Sequence, residues 1–384
     1  MRIFLMPTGD WYGRIRFRHH SIFEILTKKH RVDVLRLRVG KTALAKMESR
    51  SVIDLPQVRT RGILSYYLLN FPVHFGGTLK TESRSHYDVA VISNLTAGLA
   101  SISASKLLGT RVVFDLVDYL PAFVRQSQTN PRLISFGESM ARWILNLNIT
   151  KSDAVIVVSS VLADYVRNLT DRPVHCIPNG VDLRMFNPQV SADRVRTAYS
   201  IRGKVVGFVG HIDFWVDQEM IVGMMQSLLR RCPDTKCLIV GGGPGLPSLM
   251  ERVRKAGLLP SFVFTGPVPY ADVPTYVNAI DVCLIPFTRS FVSNAACPTK
   301  LFEYFACAKP VVSTPITEVT RIAESNVVVA RDKDSCSSRV EDLFYNKDRA
   351  ELLGKSGRIL VENSWSWDQI AKTYESVLQG VVDS

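Results

Sequence analysis

Short apolar runs alternate with amphipathic stretches along the whole chain. In the first half, runs rich in Val, Ile and Leu predict β-strands at 2–6, 33–37, 89–92, 112–116, 154–158 and 174–177. Amphipathic stretches such as 96–108 and 161–169 lie between them and predict helices. Continuous apolar strands that alternate with helices are typical of a mostly parallel sheet covered on both faces.

A second series of the same kind begins near residue 204. Strands are predicted at 205–209, 237–240, 262–264, 282–285, 311–313 and 326–329. The segment 219–231 has helical spacing, with its apolar residues on one face: Met220, Ile221, Met224, Met225, Leu228 and Leu229. We interpret this methionine-rich face as core, because a helix that packs on a sheet needs such a face.

Turn signals separate the two series. Asn179-Gly180 and Asn187-Pro188 both predict turns, so we expect the interdomain linker at about residues 180–200. The predicted fold class is α/β, with two Rossmann-like domains at 1–180 and 181–362 that face each other across a cleft. A C-terminal helix within 363–384 is expected to pack back on the first domain. Ligands of open α/β sheets bind at the carboxyl ends of the strands, which favours a nucleotide-containing ligand in that cleft.

The basic excess of the chain lies almost wholly in its first half. The formal net charge is +12; residues 1–180 hold 24 Lys and Arg against 13 Asp and Glu, and the rest hold 23 against 22. Such a field favours an anionic partner, either a phospholipid surface, a pyrophosphate-linked acceptor or nucleic acid. A merely solvated basic surface is the alternative, and no nucleic-acid-binding motif is present.

Other bulk properties indicate a folded chain without a membrane span. No run of eighteen apolar residues occurs, and the first residues lack the pattern of a signal peptide. The seven cysteines are scattered without a C-x-x-C pair, so we expect reduced, mostly buried thiols and no zinc site. The segment 61–77 is aromatic and apolar; we interpret it as a membrane-interface or lipid-contacting helix, with a buried helix ended by Pro72 as the alternative.

The segment 297–314, CPTKLFEYFACAKPVVST, carries the clearest chemistry. Pro298 and Thr299 suit the start of a helix, whose free N–H groups and positive dipole end bind phosphate. Lys300 adds a formal charge. Glu303 lies one turn beyond Thr299, within reach of the ribose hydroxyls of a nucleotide whose phosphates are held at the helix start. A surface glutamate on a buried helix is the alternative.

Three loops at strand ends supply further candidates. Gly242 and Gly243 follow the strand 237–240 and permit close approach of a ligand, although a tight turn has the same composition. The basic loop after the first strand is expected to hold an anionic acceptor or the phosphates of the donor, unless it is a solvated helix start; its candidates are Gly13, Arg14, Arg18 and His19. Asp115 and Asp118 lie at the carboxyl end of the strand that begins at Val112, and Asp118, or Asp115, could act as general base, or else cap the next turn.

At this point a resemblance becomes visible. PTKLFEYFACAKPVV resembles the donor-binding helix of GT-B glycosyltransferases, in particular glycosyltransferase family 4. IPNGVDLRMFNP, LIVGGGPGLPSLMERV and FVFTGPVPYADVPTYVNAIDVCLIPF resemble further segments of that family, in the same order, over residues 177–314. The resemblance implies the GT-B fold, a nucleotide-sugar donor held by the second domain, and catalysis without a bound metal.

The sequence departs from that family at several positions. The family commonly has two glutamates before its A-x-G-x-P-V stretch; Glu303 matches the second, but Ala295 stands at the first. His211 stands where the family often has Arg, and the Lys that usually follows is missing. We therefore expect the donor phosphates to be neutralised elsewhere, with the helix start at Thr299, Lys300, Arg289 and the basic first loop as candidates. Val117 stands where many members have a sugar-contacting His, so an inverting reaction is an option although the resemblance implies retention.

These features predict a hexosyltransferase-like enzyme that moves a sugar from a nucleotide-sugar donor to a lipid-linked or glycan acceptor. We expect it to be cytoplasmic and peripheral, on an anionic inner membrane face, without nucleic acid, cofactor or metal. Asp332-Lys333-Asp334 resembles a metal-binding D-x-D, but its late position marks it as chance. The alternatives are an inverting glycuronosyltransferase of the xanthan-assembly type and a catalytically inactive nucleotide-sugar-binding protein.

Overall fold

The computed structural model describes residues 1–9, 11–12, 16–37, 51–58, 60, 63–126 and 130–384. The chain forms two compact units: unit 1 comprises Met1–Pro178 and Asp368–Ser384, and unit 2 comprises Asn179–Trp367. Residues 180–200, which we expected as a linker, lie in unit 2, because Val181 forms a β-bridge with Ser366 and Phe186 is fully buried.

Within the described ranges the strands are β1 (Arg2–Met6), β2 (Arg31–Leu37), β3 (Ser51–Leu55), β4 (Val89–Ile92), β5 (Arg111–Leu116), β6 (Ala154–Val157), β7 (Val174–Cys176), β8 (Val205–Val209), β9 (Lys236–Val240), β10 (Phe262–Gly266), β11 (Val282–Ile285), β12 (Val311–Ser313) and β13 (Val327–Val329).

The helices in the same ranges are α1 (Arg18–Leu26), α2 (Ile63–Arg84), α3 (Leu95–Leu107), α4 (Pro131–Lys151), α5 (Ser160–Arg167), α6 (Asp193–Ala198), α7 (Gln218–Leu229), α8 (Leu246–Lys255), α9 (Val273–Ala279), α10 (Phe291–Ala295), α11 (Thr299–Ala306), α12 (Thr317–Ala323), α13 (Lys333–Tyr345), α14 (Lys347–Ser364) and α15 (Trp367–Asp383). Short 3₁₀-helices cover Leu120–Gln126, Leu259–Ser261 and Tyr270–Asp272.

Unit 1 is built on a parallel sheet with the strand order β3-β2-β1-β4-β5-β6-β7. Its central strands are buried: β4 and β6 consist only of Val, Ile and Ala, and β1 is buried from Ile3 to Met6. Such composition is required where helices cover both faces of a sheet. The strand β3 was missed by the sequence analysis, since its run is short and contains Asp54. All other strands of this sheet were predicted to within two residues.

One interpretation of the segment 61–77, a helix ended by Pro72, differs from the structure. Pro72 does not end a helix, because α2 continues through it to Arg84. Packing of α2 on α3, which includes a 2.8 Å hydrogen bond between the hydroxyls of Thr78 and Ser101, holds the later turns in place. The C-terminal segment from Asp368 belongs to unit 1, where Tyr374 is fully buried. No helix in the described ranges is long and apolar enough to cross a bilayer.

Unit 2 has a second parallel sheet, with the order β10-β9-β8-β11-β12-β13. The methionine-rich face of α7 is core, as predicted: Met224 and Met225 are fully buried and Met220 is 5% exposed. No disulfide joins the seven cysteines, all of which lie in described ranges, and all but Cys176 are buried. Both sheets and their helices are therefore the α/β architecture that the alternating pattern predicts.

Candidate functional site

The carboxyl ends of the strands of unit 2 bring the predicted donor-binding residues to one edge. Because β8, β9 and β11 are parallel neighbours, the loops that follow them emerge at the same edge of the sheet. Gly210 and His211 follow β8, Gly242 and Gly243 follow β9, and Arg289 lies in the loop after β11. The helix α11 begins nearby, since the ammonium of its Lys300 reaches the loop after β8.

Lys300 stands directly over Gly210. A Cβ atom added at Gly210 would lie 3.0 Å from Nζ of Lys300, so a side chain there would displace the ammonium. The φ angle of Gly210 is +135°, which also favours glycine. Nζ lies 4.8 Å from the ring centre of Phe208 and 5.0 Å from that of Phe287. These rings hold the ammonium by cation–π contact, which leaves its three hydrogens available for a ligand.

The surroundings of Lys300 change its pKa. Burial lowers the pKa of Lys300 to about 8, and the nearby Glu303 opposes this shift. No described residue accepts a hydrogen bond from Nζ. A phosphate group placed against Lys300 would supply the missing acceptors. The sequence analysis found no Lys in the loop after β8; the structure places one there from α11.

The start of α11 points its first N–H groups at the same edge. Pro298 is the residue before the helix and Thr299 is its first residue, as expected, and no side chain caps the helix start. The first-turn amides of a helix without a capping side chain are available to an anion. Arg289 is exposed in the loop two residues beyond Phe287. The structure therefore places Thr299 and Lys300 at the start of α11, beside the loop after β8. Arg289 lies at the exposed margin of this site.

The glycine loop after β9 packs against the loop after β8. The amide of Ile212 donates to the carbonyl of Gly242 (2.8 Å), and the amide of Gly245 donates to the carbonyl of Ile212 (2.9 Å). The φ angle of Gly243 is +135°, and a Cβ there would lie 3.0 Å from Cε1 of His211. The glycines thus let the two loops pack closely at the edge of the sheet. The exposed side chain of His211 lies against Gly243.

His211 has neighbours that the sequence analysis did not single out. Its Nε2 lies 3.4 Å from Oδ2 of Asp213, which is buried, and its ring stacks on Trp215 at 5.8 Å between ring centres. His211 therefore places an exposed imidazole ring beside the glycine loop, at the position where family 4 often has Arg.

Glu303 is buried, and only one of its two carboxylate oxygens accepts a hydrogen bond from a described residue. It is 6% exposed, and its Oε1 accepts a 3.0 Å hydrogen bond from the hydroxyl of Tyr270. No described residue donates to Oε2. Burial raises the pKa of Glu303 to about 7, while Tyr270 and Lys300 pull it down. A buried carboxylate with one unclaimed oxygen is suited to accept ribose hydroxyls. Tyr270 was missed because nothing in the sequence marks a tyrosine thirty-three residues earlier as its partner.

In unit 1, Asp115 is the centre of a buried cluster. Its Oδ2 accepts hydrogen bonds from Nε2 of His19 and from the hydroxyl of Tyr374, both at 3.0 Å, and lies 3.8 Å from Nε of Arg18. Burial alone would raise the pKa of Asp115, but the Arg18 charge and the His19 hydrogen bond lower it. The cluster ties α1, β5 and α15 together.

This cluster changes the roles expected for three residues. Arg18 and His19 were predicted to belong to an open basic loop, but both are buried in the first turn of α1, because the Asp115 carboxylate draws them inward. Asp115 is fully buried and already bonded, so it does not face a substrate. Gly13 and Arg14 lie outside the described residues.

Asp118 stands apart from the cluster. It follows β5, is partly exposed, and its carboxylate has no hydrogen-bond partner among the described residues. Burial raises the pKa of Asp118 to about 7. A carboxyl group that titrates near neutral pH is matched to general-base work. Of the two candidate bases, the structure favours Asp118.

The Asp332-Lys333-Asp334 sequence has a structural role. Asp332 caps α13, with its Oδ1 accepting from the amide of Ser335 at 2.8 Å, and Asp334 accepts from the hydroxyl of Ser227 at 3.0 Å. Within the described part of the chain, no group of three or more His, Cys, Asp or Glu side chains is arranged to hold a metal ion.

We expect Tyr374→Phe to lower the free energy of unfolding by about 1.5–3 kcal/mol, because it removes a buried hydrogen bond to a charged group. Folding lowers the pKa of Asp115, so the carboxylate stabilises the fold above about pH 4 and this contribution is lost as pH falls. Urea unfolding at neutral and acidic pH measures both effects. Tyr345→Phe, at an exposed tyrosine of unit 2, is the control; an equal loss in both variants would contradict the role of the cluster.

Two family models match the chain. The model described as Glycosyltransferase Family 4 matches residues 22–184, and that described as Glycosyl transferases group 1 matches residues 203–346. Between them they cover the helix α11 and every strand named above except β1. The chain is GT4-like and has the GT-B fold. The family's first Glu is absent here, since Ala295 is fully buried in its place.

Curated relatives match over part of their length. The putative teichuronic acid biosynthesis glycosyltransferase TuaH of Bacillus subtilis is 30% identical over 47% of this chain and 44% of its own. A GDP-mannose-dependent alpha-(1-6)-phosphatidylinositol monomannoside mannosyltransferase of Mycolicibacterium smegmatis is 30% identical over 53% of this chain and 56% of its own. The matched segments thus span about half of these relatives.

Solved structures share the fold over the full chain. Sucrose-phosphate synthase from Thermosynechococcus elongatus superposes with a TM-score of 0.78 at 17% identity, covering 99% of this chain and 98% of its own. Anabaena Alr3699/HepE in complex with UDP and glucose gives a TM-score of 0.76 at 18% identity, covering 99% of both chains. This GT4-like chain therefore has the two-unit α/β architecture of glycosyltransferases.

Proposed function

We propose that this protein transfers a sugar from a nucleotide-sugar donor to a lipid-linked or glycan acceptor. One observation carries the proposal: the ammonium of Lys300, the uncapped start of α11 and the unclaimed oxygen of Glu303 lie within one helical turn at the carboxyl edge of a parallel sheet. A nucleoside diphosphate has a matching anion and matching hydroxyls at a comparable spacing.

In this proposal each group of unit 2 has one task. Lys300, the amides of Thr299 and Lys300, and a ring N–H of His211 hold the diphosphate and stabilise the charge that develops on it as the sugar leaves. Glu303, positioned by Tyr270, accepts the ribose hydroxyls. The loop at Gly242 and Gly243 admits the donor close to the backbone. Arg289 adds charge at the rim.

The comparisons favour two donors and one class of acceptor. A structural neighbour was solved with UDP and glucose, and a relative is named as using GDP-mannose on a phosphatidylinositol mannoside. We therefore propose a UDP- or GDP-linked hexose as donor. The basic first half of the chain favours an acceptor that is anionic or held at an anionic membrane surface, and with it a peripheral cytoplasmic location.

We expect Lys300→Met to weaken the binding of UDP or GDP about tenfold to a hundredfold, because a charge-assisted bond to phosphate contributes about 1.5–3 kcal/mol. Binding of uridine or guanosine, which lack phosphate, should change little. Calorimetry with each ligand measures the difference. Lys347→Met is the matched control, since Lys347 is an exposed lysine at the start of another helix.

Equal losses for nucleoside and nucleotide would contradict the phosphate contact, and unchanged affinity for both would contradict the site. A transfer assay tests whether the protein catalyses the proposed reaction. Incubation of the protein with radiolabelled UDP- and GDP-hexoses and membrane extract should yield a labelled lipid or glycan. Tight donor binding without transfer to any acceptor would instead favour a non-catalytic nucleotide-sugar-binding protein.

A further inference from the structure

The helix α4 of unit 1 presents an apolar stripe to solvent. Residues spaced by three, four, three and four positions fall within an arc of about 80° on the helix surface. The stripe consists of Leu133, Phe136, Met140, Trp143 and Leu147. Leu133 is 53% exposed, Phe136 59% and Trp143 60%, while Met140 and Leu147 are partly exposed.

The opposite face of α4 holds the helix in the fold. Ala141, Ile144, Leu145 and Ile149 are buried, and Nδ2 of Asn148 donates to the carbonyl of Leu95 at 3.1 Å. Gly137 packs closely on Val124 of the preceding 3₁₀-helix. Leu133, Phe136 and Trp143 of the stripe therefore lie outside the core. Single exposed apolar residues need no explanation, but a continuous row with Phe and Trp is typical of an interaction surface.

The charges around the stripe favour an anionic partner. On the helix surface Arg132 lies one turn from Phe136 and Lys151 one turn from Leu147, whereas Glu138, the single acid of the helix, lies on another side. Residues 1–180 hold eleven more basic than acidic residues. Pairing with a second copy of the same surface would bring like charges together. Exposed Trp and Phe beside Arg and Lys instead suit the boundary between lipid headgroups and acyl chains.

The direction of α4 places one end of the stripe near the chemistry of unit 1. The helix connects β5 to β6, which are parallel neighbours, so it runs back along them from the carboxyl edge of β5. Leu133 and Phe136 lie in its first two turns, at the edge where Asp118 follows β5. A bilayer against the stripe would therefore lie beside the candidate base.

We propose that the α4 stripe is the surface by which this protein inserts into an anionic lipid bilayer, so that a lipid-linked acceptor is presented at the carboxyl edge of the unit 1 sheet. The presentation of a lipid-linked acceptor rests on the proposed transferase function. Binding to the bilayer does not, because it is measured without donor or sugar transfer. The segment 61–77, preferred for this role from sequence, lies partly outside the described residues and is not needed for it.

The test is flotation of the purified full chain with vesicles of phosphatidylcholine containing phosphatidylglycerol, and with vesicles of phosphatidylcholine alone. We expect binding to the acidic vesicles that weakens with salt, and a drop of tenfold or more in the partition coefficient of the double variant Phe136→Gln, Trp143→Gln. The matched control is Leu352→Gln, Ile359→Gln, at similarly exposed apolar residues of α14 in unit 2. It should bind like the wild type.

A second measurement locates the insertion. Vesicles with brominated acyl chains should quench the fluorescence of the bound protein, and Trp143→Phe should keep the binding but lose most of the quenching. Equal flotation of the stripe variant and the control would overturn the proposal. A stripe variant that binds vesicles normally but has a changed sedimentation coefficient would also overturn it, because the stripe would then be a self-association surface. Unchanged UDP or GDP affinity in the stripe variant keeps this result separate from the donor-site proposal.

Discussion

Asp118→Asn is expected to lower the rate of sugar transfer by about two to four orders of magnitude while the protein folds and binds nucleotide as before, because removal of a general base typically has an effect of that size. Asp118 follows β5 at the carboxyl edge of its sheet, where ligands of such sheets bind, and no described residue bonds to its carboxylate. An amide of the same shape keeps the packing but cannot take the acceptor's proton.

The pH dependence gives this prediction a second readout. Burial raises the pKa of Asp118 to about 7, so the carboxylate is half deprotonated there, and the transfer rate at saturating donor should rise with pH through that value. The residual transfer rate of Asp118→Asn should not rise with pH in this range. Rapid-quench measurement of a single turnover at several pH values checks both points.

The control is Asp164→Asn, at a carboxylate of α5 that is 75% exposed. It should transfer sugar at the wild-type rate. Near-normal turnover of Asp118→Asn would make the base assignment wrong. A product that retains the anomeric configuration of the donor would leave Asp118 as a residue that positions the sugar, since a single displacement with a base inverts that centre.

Glu303→Ala is expected to weaken nucleotide binding by about 2–4 kcal/mol, because it removes paired, charge-assisted bonds to the ribose in a buried site. The measurement is calorimetry with UDP or GDP and with the corresponding 2′,3′-dideoxy nucleotide. The dideoxy ligand should bind the wild type about as weakly as the full nucleotide binds the variant, and the variant should not distinguish the two ligands.

Two shifted pKa values predict how nucleotide affinity depends on pH. The pKa of Glu303 is about 7, so its carboxylate becomes a better acceptor for ribose as pH rises through 7. The pKa of Lys300 is about 8, so its charge is lost as pH rises further. Affinity should therefore be greatest between these values, and Glu303→Ala should lose the rise on the acid side.

Glu351→Ala, at an exposed glutamate of α14, is the matched control and should leave affinity unchanged at every pH. A folded Glu303→Ala variant with wild-type affinity would remove Glu303 from the ribose site. Tyr270→Phe is the finer probe, since it frees Oε1 of Glu303 from its 3.0 Å bond without removing the carboxylate. It should raise the acid-side pKa, because the Tyr270 hydroxyl stabilises the charged form.

Tertiary packing decided which of the candidate polar residues are available to a ligand. Asp115 and Asp118 differ by three positions, and their sequence surroundings gave no reason to separate them. Tyr374, which lies 259 residues beyond Asp115, bonds to Asp115, and Arg18 and His19 turn inward to meet the same carboxylate. A contact between distant segments leaves no local pattern, so the basic loop was mistaken for an open one.

The sequence by itself determined the two α/β units and the start of α11, because these depend on local properties. Buried parallel strands need uninterrupted Val, Ile and Leu, and a helix start needs residues such as Pro298 and Thr299. Short β3 and the path of α2 through Pro72 were missed, since neighbouring elements rather than local preference hold them. Only the tertiary structure showed that Lys300 reaches the loop after β8 and that Tyr270 bonds to Glu303. Both contacts join α11 to loops that meet it only when the parallel strands align their carboxyl ends at one edge.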